Sequence, residues 1–325
     1  MRILITGGAG YIGSHVLKAL GKQGHDITIV DNLSTGFAKA ITYGNLIVAD
    51  LADRVKIESI FEAGKFDAVV HFAGSIVVPD SVTQPLFYYQ NNTINSHFVL
   101  SMCDKFKIKY FIFSSTAAVY GMPESGVCHE DSELLPINPY GQSKLMTEHM
   151  LRDLAFANKG FKYIALRYFN VSGADPEGQI GQSFPKATHL IKAACEAATS
   201  KRTHMDLFGT DYPTKDGTCV RDYIHVSDLA DAHVKALQFL EKGGESQPLN
   251  CGYGHGFSVK EVISRVKEIT GVNFKVNELG RRAGDSASLT AESSRLSKLT
   301  GWKPKNDDLN IIIQSAYEWE KNRPY

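Results

Sequence analysis

The chain has 325 residues, 43% of them hydrophobic, and its 35 lysines and arginines balance its 35 aspartates and glutamates. This composition is typical of a globular protein of one large or two smaller domains, whose core needs neither a disulfide nor a structural metal. Without surplus positive charge, sequence-independent binding of nucleic acid is disfavoured, and without an apolar run of about 20 residues a membrane span is disfavoured too.

The spacing of the cysteines and histidines indicates neither a disulfide framework nor a metal site. The five cysteines lie at least 24 positions apart, and none of the 11 histidines is followed by another four residues later. The chain enters a strand at Arg2, which leaves no room for a signal peptide. We therefore expect no metal and a cytoplasmic protein.

Short apolar runs alternate with helical patterns through the first half of the chain. The runs predict strands over residues 2–5, 26–30, 46–49, 68–72, 110–113 and 163–166. The patterns between them predict helices over residues 11–22, 55–62, 85–106 and 140–156. Because the strands are apolar almost throughout, both faces of their sheet should be covered by helices. The prediction is an α/β fold with a doubly wound parallel sheet.

The pattern loosens after about residue 171, where turn-rich segments at 172–181, 209–217 and 251–256 separate shorter elements. One later helix is well marked, because Ser258 and Glu261 have the spacing of a capping box. We expect one domain over residues 1–170 and a smaller C-terminal α/β substrate domain over 171–325. Part of 221–245 should return to the first domain.

A glycine-rich loop follows the first predicted strand and opens a helix, with Gly7, Gly10 and Gly13 as its spaced glycines. These glycines allow a tight turn and the close approach of a pyrophosphate to free N–H groups at the helix start. An ordinary glycine-rich turn is the alternative, but strand, glycines and helix follow one another in the order of a Rossmann dinucleotide site.

The second predicted strand ends at Asp31, 18 residues beyond Gly13. A carboxylate there bonds the adenosine ribose hydroxyls and repels a 2′-phosphate, so NAD is favoured over NADP. The alternative is an aspartate that caps the turn before Asn32.

Tyr140 and Lys144 lie four residues apart on a predicted helix, and Thr116 follows the fifth predicted strand. Because residues four apart share a helix face, the phenol and the ammonium can enter one cleft. Lys144 and a bound nicotinamide should favour the phenolate, which makes Tyr140 a base, while Thr116 can donate to the same oxygen or to the substrate. For the Tyr–Lys pair by itself, an exposed surface helix is an equal alternative.

Together with His71-Phe72-Ala73-Gly74 and Ser114-Ser115-Thr116-Ala117, these motifs resemble the extended short-chain dehydrogenase/reductase family. Within that family, Leu166-Arg167-Tyr168-Phe169-Asn170 and residues 208–226 resemble the enzymes that epimerise carbon 4 of nucleotide sugars, and the likeness covers nearly the whole chain.

The resemblance implies NAD as cofactor and a UDP-hexose as substrate. It implies cofactor contacts from Gly7, Gly10, Tyr11, Ile12, Gly13, Asp31, Asn32, Leu33, Ser34, Thr35, Gly36, Asp50, Leu51, Phe72, Ala73, Asn91, Thr116, Tyr140, Lys144 and Phe169. It implies substrate contacts from Thr116, Tyr140, Asn170, His189, Asp206, Leu207, Phe208, Arg221, Arg282, Asp285 and Leu289. The two arginines suit a diphosphate, although surface ion pairs with Asp222 and Asp285 are the alternative.

The resemblance also implies a reaction. Tyr140 takes the proton of the sugar 4-hydroxyl while the carbon-4 hydride passes to NAD, and the transient 4-keto sugar is reduced on its other face. Lys144 holds the nicotinamide ribose, and Thr116 orients the oxygen. UDP-galactose and UDP-glucose would interconvert in this way.

Several alternatives remain at the level of the sequence. The substrate could be a UDP-N-acetylhexosamine, a UDP-pentose or a UDP-uronate, and an NAD-bound regulator without activity is an alternative of another class. A sugar 4,6-dehydratase is disfavoured because Ala117 and Ala118, which follow Thr116, cannot act as acid and base.

The chain departs from the family pattern at three places, and one further expectation concerns assembly. His189 occupies a position that Asn fills in some relatives, where either side chain can bond the nucleotide. Ile76 stands where a lysine often contacts the cofactor, and Leu289 is intermediate between the residues that admit or exclude N-acetyl sugars. We also expect a homodimer in which the predicted helices 85–106 and 140–156 pair.

Overall fold

The computed structural model describes residues 1–184, 188–282 and 284–325. Its strands are β1 (Arg2–Thr6), β2 (Asp26–Asp31), β3 (Asn45–Val48), β4 (Ala68–His71), β5 (Tyr110–Ser114), β6 (Val127–Cys128), β7 (Lys162–Tyr168), β8 (Asn170–Ser172), β9 (Met205–Phe208), β10 (Val220–Arg221), β11 (Tyr223–His225), β12 (Gln247–Cys251), β13 (Phe257–Ser258), β14 (Val276–Leu279) and β15 (Ser288–Ala291).

The α-helices are α1 (Tyr11–Gly21), α2 (Arg54–Gly64), α3 (Val78–Thr83), α4 (Pro85–Tyr88), α5 (Asn95–Lys105), α6 (Pro139–Ala157), α7 (Leu190–Ala198), α8 (Val226–Glu241), α9 (Val259–Thr270), α10 (Ser294–Thr300) and α11 (Leu309–Asn322). Short 3₁₀ helices lie at Ala38–Ala40 and Ala117–Val119, and a π-helix lies at Tyr89–Ile94.

Within the described residues, one parallel sheet of seven strands has the order β12-β7-β5-β4-β1-β2-β3. In the register of β1, Ile3 lies opposite Ile27 on β2 and opposite Ala68 on β4. Because the strand order reverses between β1 and β4, their carboxyl ends open a crevice of the kind that binds ligands in doubly wound folds. The predicted fold class is confirmed.

All six predicted strands are present, with ends that differ by one or two residues from the prediction. The sequence analysis missed β12, which pairs in parallel with β7 at the edge of the sheet. Its sequence, QPLNC, contains no β-branched or aromatic residue, so nothing in its composition indicated a strand.

Each face of the large sheet is covered by its own layer of helices. Because side chains alternate along a strand, Ile3 and Ile5 point to the face covered by α1 and α8, and Leu4 points to the face covered by α2 and α5. The helix α8 therefore packs on the large sheet, although it follows β10 and β11 in the chain.

The rest of the chain builds smaller layers beside the crevice. One sheet has the order β13-β10-β15-β6, and the pairs β8–β11 and β9–β14 stand apart from it. The helices α7, α9 and α11 share a third apolar core. The predicted capping box is confirmed, because Ser258 Oγ accepts from the N–H of Glu261 at 3.0 Å while the Ser258 N–H donates to the Glu261 carboxylate at 2.8 Å.

The prediction of one regular helix over residues 85–106 is wrong. It consists of α4, the π-helix Tyr89–Ile94 and α5, and it follows a separate short helix, α3. A π-helix widens the turn and often marks a functional site. Among the described residues, no helix combines the length and apolarity needed to cross a membrane.

Candidate active site

The loop between β1 and α1 is closed by glycine contacts that a side chain would break. Gly7 has φ +74°, in the left-handed region, and its carbonyl oxygen accepts from the Gly10 N–H at 3.2 Å. A Cβ at Gly13 would overlap that same carbonyl oxygen. The helix starts behind Gly10, which has no side chain to cap it, so the first N–H groups of α1 face the crevice.

Asp31 holds the neighbouring loop to the glycine loop. Its carboxylate accepts from the N–H of Ala9 at 2.9 Å and from the N–H of Leu33 at 2.8 Å. Burial raises the pKa of Asp31, and these two bonds partly offset that effect. A Cβ at Gly36 would contact the Ala9 backbone, so residues 31–36 lie directly against the glycine loop.

The third strand adds a second carboxylate to this edge. Asn32 donates to Asp50 at 2.7 Å, and the N–H of Ala52 donates to the other Asp50 oxygen at 2.8 Å. Both bonds lower the pKa of Asp50. Asp50 and the buried Leu51 lie just beyond β3, which ends at Val48.

The loop after β4 lies on the other side of the glycine loop. A Cβ at Gly7 would collide with the backbone of Phe72 and Ala73, so the two loops touch. Ile76 is 48% exposed in the segment that follows. The contact brings Phe72 and Ala73 to the edge of the glycine loop, and their expected contact with the cofactor stays a prediction.

The π-helix Tyr89–Ile94 fixes the loop after Ala73. Asn92, which is buried, accepts from the Ser75 N–H at 2.7 Å and donates to Ser143 Oγ on α6 at 3.1 Å. Asn91, the residue expected to contact the cofactor, donates to Ser75 Oγ at 2.9 Å. The sequence analysis missed Asn92, because a regular helix would not turn both asparagines toward one loop.

Tyr140 lies in the first turn of α6, which Asn138 caps by accepting from the Gly141 N–H at 2.8 Å. Burial raises the pKa of the Tyr140 phenol, and a hydrogen bond with the Thr116 side chain lowers it in part. We expected Lys144 to lower this pKa. In the protein chain alone the effect of burial is larger, and the pKa of Tyr140 is raised. A lower pKa would need the positive charge of a bound nicotinamide.

Lys144 lies one turn beyond Tyr140, buried beneath the crevice. Its Nζ donates to the carbonyl oxygen of Ser114 at 2.8 Å and stands 4.9 Å from the centre of the Phe113 ring. Burial lowers the pKa of Lys144 to about 8. A Cβ at Gly74 would lie 3.7 Å from this Nζ, so α6 meets the loop after β4 here. An exposed Tyr–Lys pair, the alternative in the sequence analysis, is therefore wrong.

The crevice fits a dinucleotide. Free N–H groups at the start of α1 suit a diphosphate, and the Asp31 carboxylate keeps lone pairs for ribose hydroxyls after its two backbone bonds. The buried Lys144 supplies a donor at the far end. Because a Cβ at Gly13 would overlap the Gly7 carbonyl oxygen, only glycine fits at position 13 of the glycine loop.

The arginines expected to bind a diphosphate meet at one carboxylate. Arg282 donates to both oxygens of Asp285, at 3.1 and 3.0 Å, and lies 5.4 Å from the centre of the Phe208 ring. Arg221 lies 3.6 Å from the same carboxylate. Ion pairs of these arginines with Asp222 and Asp285 were the alternative. The pairs with Asp285 are present, whereas among the described residues neither arginine pairs with Asp222.

Asp222 is a buried anchor that the sequence analysis missed. Its carboxylate accepts from the N–H groups of Tyr253, Gly254 and Ala291, at 2.9 to 3.2 Å. Its carbonyl accepts from the Asn170 N–H at 3.0 Å.

The backbone of Asp222 also reaches the strand that carries Leu289, because its N–H donates to the Leu289 carbonyl at 3.3 Å. Leu289 packs with Phe169 against a small buried cluster that includes Val119 and Leu145. This cluster joins β15 to α6 and to the 3₁₀ helix after Thr116. Asn170, Leu289 and the strand of Arg221 are therefore held as one unit.

The remaining expected substrate residues lie on α7 and β9. His189 caps α7, its ring bonds Gln182 at 2.8 Å, and burial lowers its pKa. Asp206 lies 3.5 Å from His204, and the buried Leu207 belongs to the same core as α7. Phe208 on this strand lies beneath the Arg282 guanidinium, whereas the hydrogen bond of the His189 ring goes to Gln182.

The sequence profile of the NAD dependent epimerase/dehydratase family matches residues 3–252. A protein of Azospirillum brasilense named UDP-glucose 4-epimerase is 52% identical over 322 residues, which make up 99% of this chain and 92% of that protein.

Solved structures are similar over nearly the full length. The UDP-Glc/GlcNAc 4-epimerase from Campylobacter jejuni is 52% identical, with a TM-score of 0.87 over 98% of this chain and 99% of that one. The UDP-glucose 4-epimerase from Brucella ovis, solved in complex with NAD, is 41% identical, with a TM-score of 0.94 over 98% of each chain.

Proposed function

The chain belongs to the NAD dependent epimerase/dehydratase family, and we propose that it interconverts UDP-galactose and UDP-glucose through a transient ketone at carbon 4 of the sugar. One observation carries the proposal: Tyr140, Thr116 and Lys144 meet at the carboxyl end of β5, in the crevice that the glycine loop also borders. The same crevice supports NAD as cofactor.

When bound, NAD supplies a reversible acceptor for the hydrogen on carbon 4. We assign to Tyr140 the transfer of the hydroxyl proton at that carbon, first as base and then as acid. We assign to Thr116, whose side chain lowers the Tyr140 pKa in part, the orientation of the reacting oxygen. Lys144, one helical turn beyond Tyr140, would hold the nicotinamide ribose, and the positive charge of the bound nicotinamide would favour the phenolate.

Inversion requires that the ketone present its second face to the same cofactor. The nucleotide must stay fixed while the hexose turns, so strong contacts belong on the diphosphate and weak ones on the sugar. We assign the anchoring to Arg221 and Arg282, with Asp206–Phe208, Asn170 and His189 around the nucleotide. Guanidinium groups can form two parallel bonds to a phosphate, which suits this task.

A product assay tests the proposal. The purified protein is incubated with UDP-galactose, without added reductant, and the nucleotide sugars are separated by chromatography. We expect UDP-glucose to form, and the same final mixture to arise from either starting sugar. Turnover of UDP-pentoses in place of UDP-hexoses would overturn the substrate. Bound NAD without turnover of any nucleotide sugar would indicate a regulator.

UDP-N-acetylhexosamines are a second candidate substrate. Leucine at position 289 packs, as Phe169 does, against a small buried cluster, and it is smaller than the tyrosine that would exclude an acetamido group there. The Campylobacter jejuni structure, 52% identical, is described as a UDP-Glc/GlcNAc 4-epimerase. The assay above, run with UDP-N-acetylgalactosamine, distinguishes the two cases.

Three further properties belong to this proposal. We divide the chain into an NAD-binding domain over residues 1–170 and a nucleotide-sugar domain over 171–325, with α8 returned to the first. We infer a cytoplasmic homodimer. The large exposed side chains of Val82, Leu86, Phe87 and Ile94 on and beside α3–α5 support a surface that a second copy covers.

A further inference from the structure

We propose that Glu148, held by Arg167, is a positioning residue that sets the spacing between Tyr140 and Thr116 through the hydroxyl of Ser115. This inference rests on the proposed function, because it assumes that Tyr140 and Thr116 react with the sugar. It adds a residue pair that touches neither cofactor nor substrate.

Two hydrogen bonds and one further side-chain interaction join one face of α6 to the end of β5, and we call these three the α6 ladder. Lys144 donates to the Ser114 carbonyl, and Glu148 accepts from the Ser115 hydroxyl. Tyr140 is the remaining member, and the Thr116 side chain lowers its pKa in part. The helix residues are spaced by four, so they lie above one another on the same face. The strand residues are consecutive. The ladder therefore fixes both the height and the rotation of α6 against β5.

Arg167 holds the carboxylate of the third rung in a single orientation. Its Nε lies 3.0 and 3.1 Å from the two Glu148 oxygens, and a second guanidinium nitrogen lies 2.5 Å from one of them. Its remaining nitrogen donates to the Tyr120 hydroxyl at 3.0 Å and to the Glu130 carbonyl at 3.2 Å. With every arm engaged, the carboxylate cannot rotate away from Ser115.

Burial of this ion pair argues for a geometric role. Arg167 is 2% exposed and Glu148 is 6% exposed. Desolvation of the two charges opposes folding, and apolar residues of similar volume often stabilise a core as well as a buried ion pair or better. Stability alone therefore explains a charged pair here poorly, whereas a directional bond to the loop of Thr116 explains it well.

A shift at Ser115 passes directly to Thr116. The Ser115 N–H donates to the Leu166 carbonyl at 2.9 Å, so the loop is held by β7 on one side and by Glu148 on the other. Thr116 is the next residue, in extended backbone that leads into the 3₁₀ helix. A displacement of about 1 Å in a reacting group can cost about 100-fold in rate.

The test compares Ser115→Ala with Thr147→Ala. Both residues are buried hydroxyl side chains in or against α6, but within the described residues the Thr147 hydroxyl donates to the Ser143 carbonyl of its own helix and does not reach the end of β5. We expect Ser115→Ala to lower kcat for UDP-galactose by about 10- to 100-fold with KM near the wild-type value. Thr147→Ala should leave both constants near wild type.

Glu148→Gln keeps an oxygen for Ser115 but removes the charge that orients it. We expect a lower kcat, and we expect the double variant Ser115→Ala/Glu148→Gln to be no slower than the slower single variant, since both act through one bond. If Glu148→Gln fails to fold, the comparison of Ser115→Ala with Thr147→Ala decides the matter. A crystal structure of Ser115→Ala should show a changed Thr116–Tyr140 separation.

The outcomes separate the two proposals. A wild-type chain without epimerase activity overturns the proposed function. An active wild type with an unchanged kcat in Ser115→Ala overturns the positioning role alone. Equal losses of kcat and of thermal stability in Ser115→Ala and Thr147→Ala would show that the Ser115–Glu148 bond contributes only to packing. That result would also overturn the positioning role of Glu148.

Discussion

The ring of His233 on α8 packs against the ring of Phe72 in the loop after β4, with 5.1 Å between their centres. On its other side it lies 6.0 Å from the Tyr168 ring, and its Nδ1 bonds the Leu229 carbonyl at 2.8 Å. The other ring nitrogen, Nε2, is buried without a hydrogen-bond partner in the described structure. A protonated imidazole would therefore bring an unsolvated charge into the layer beneath the cofactor crevice.

Acid should destabilise the fold through this residue. Burial lowers the pKa of His233 to about 4, against 6.5 for an ordinary histidine, and the bond to Leu229 raises it only in part. Between these values the unfolded chain holds the proton and the folded chain does not. The stabilisation is complete above pH 6.5 and is lost as the pH falls through 4.

His233→Asn should weaken this dependence, because the amide can still donate to Leu229 but does not titrate. Urea unfolding between pH 7 and 4 measures it. We expect the free energy of unfolding to fall less steeply in the variant, by at most about 1.4 kcal/mol per pH unit. Parallel curves for the two proteins would show that this imidazole does not contribute.

Gly13→Ala should abolish tight NAD binding. The added Cβ would overlap the Gly7 carbonyl oxygen and force the glycine loop out of its turn. We expect an NAD Kd raised by about 100-fold or more, equal to about 3 kcal/mol, as measured by calorimetry. Gly280→Ala is the matched control, since a Cβ there meets nothing within 4 Å. Equal affinities of the two variants for NAD would contradict the assignment of the glycine loop to NAD binding.

Tyr140→Phe should lower kcat by about 10²- to 10⁴-fold, the usual contribution of a positioned acid or base, while KM for UDP-galactose changes little. Tyr88→Phe is a matched control, because that buried phenol donates to the Val77 carbonyl at 2.6 Å and has no part in the proposed reaction. Full activity in Tyr140→Phe would mean that another group moves the proton.

Leu289→Tyr should narrow the substrate range. Leu289 packs, as Phe169 does, against the cluster that contains Val119 and Leu145, so a larger side chain would change the size of the site there. We expect turnover of UDP-N-acetylgalactosamine to fall by about 10-fold or more, while turnover of UDP-galactose stays near wild type. Leu289→Ile, which conserves volume, should change neither rate. Equal losses for both sugars would show that position 289 does not select between them.

The sequence predicted the fold class and the family correctly, because both rest on local signals. Apolar strands, the glycine loop and the Tyr–Lys spacing are readable within a few residues, and the family match confirms NAD dependence. The roles of individual site residues and the domain boundary stay predictions. What the sequence could not provide depends on tertiary contacts.

Three examples show this limit. The strand β12 lacks β-forming residues and exists because β7 offers it an open edge. Asn92 reaches Ser75 because the π-helix rotates it inward. The high pKa of Tyr140 follows from burial, which a spacing of four residues does not reveal.

The division of labour between layers has an evolutionary consequence. The groups assigned to the chemistry stand at the end of β5 and on α6, whereas most groups assigned to the nucleotide stand on or beside the smaller sheets. The two parts meet at the small cluster of Leu145 against which Leu289 packs. Substitutions on the smaller sheets away from that cluster should therefore have little effect on α6. A lineage could acquire a new sugar by altering β15 and its neighbours while its proton-transfer apparatus is inherited unchanged.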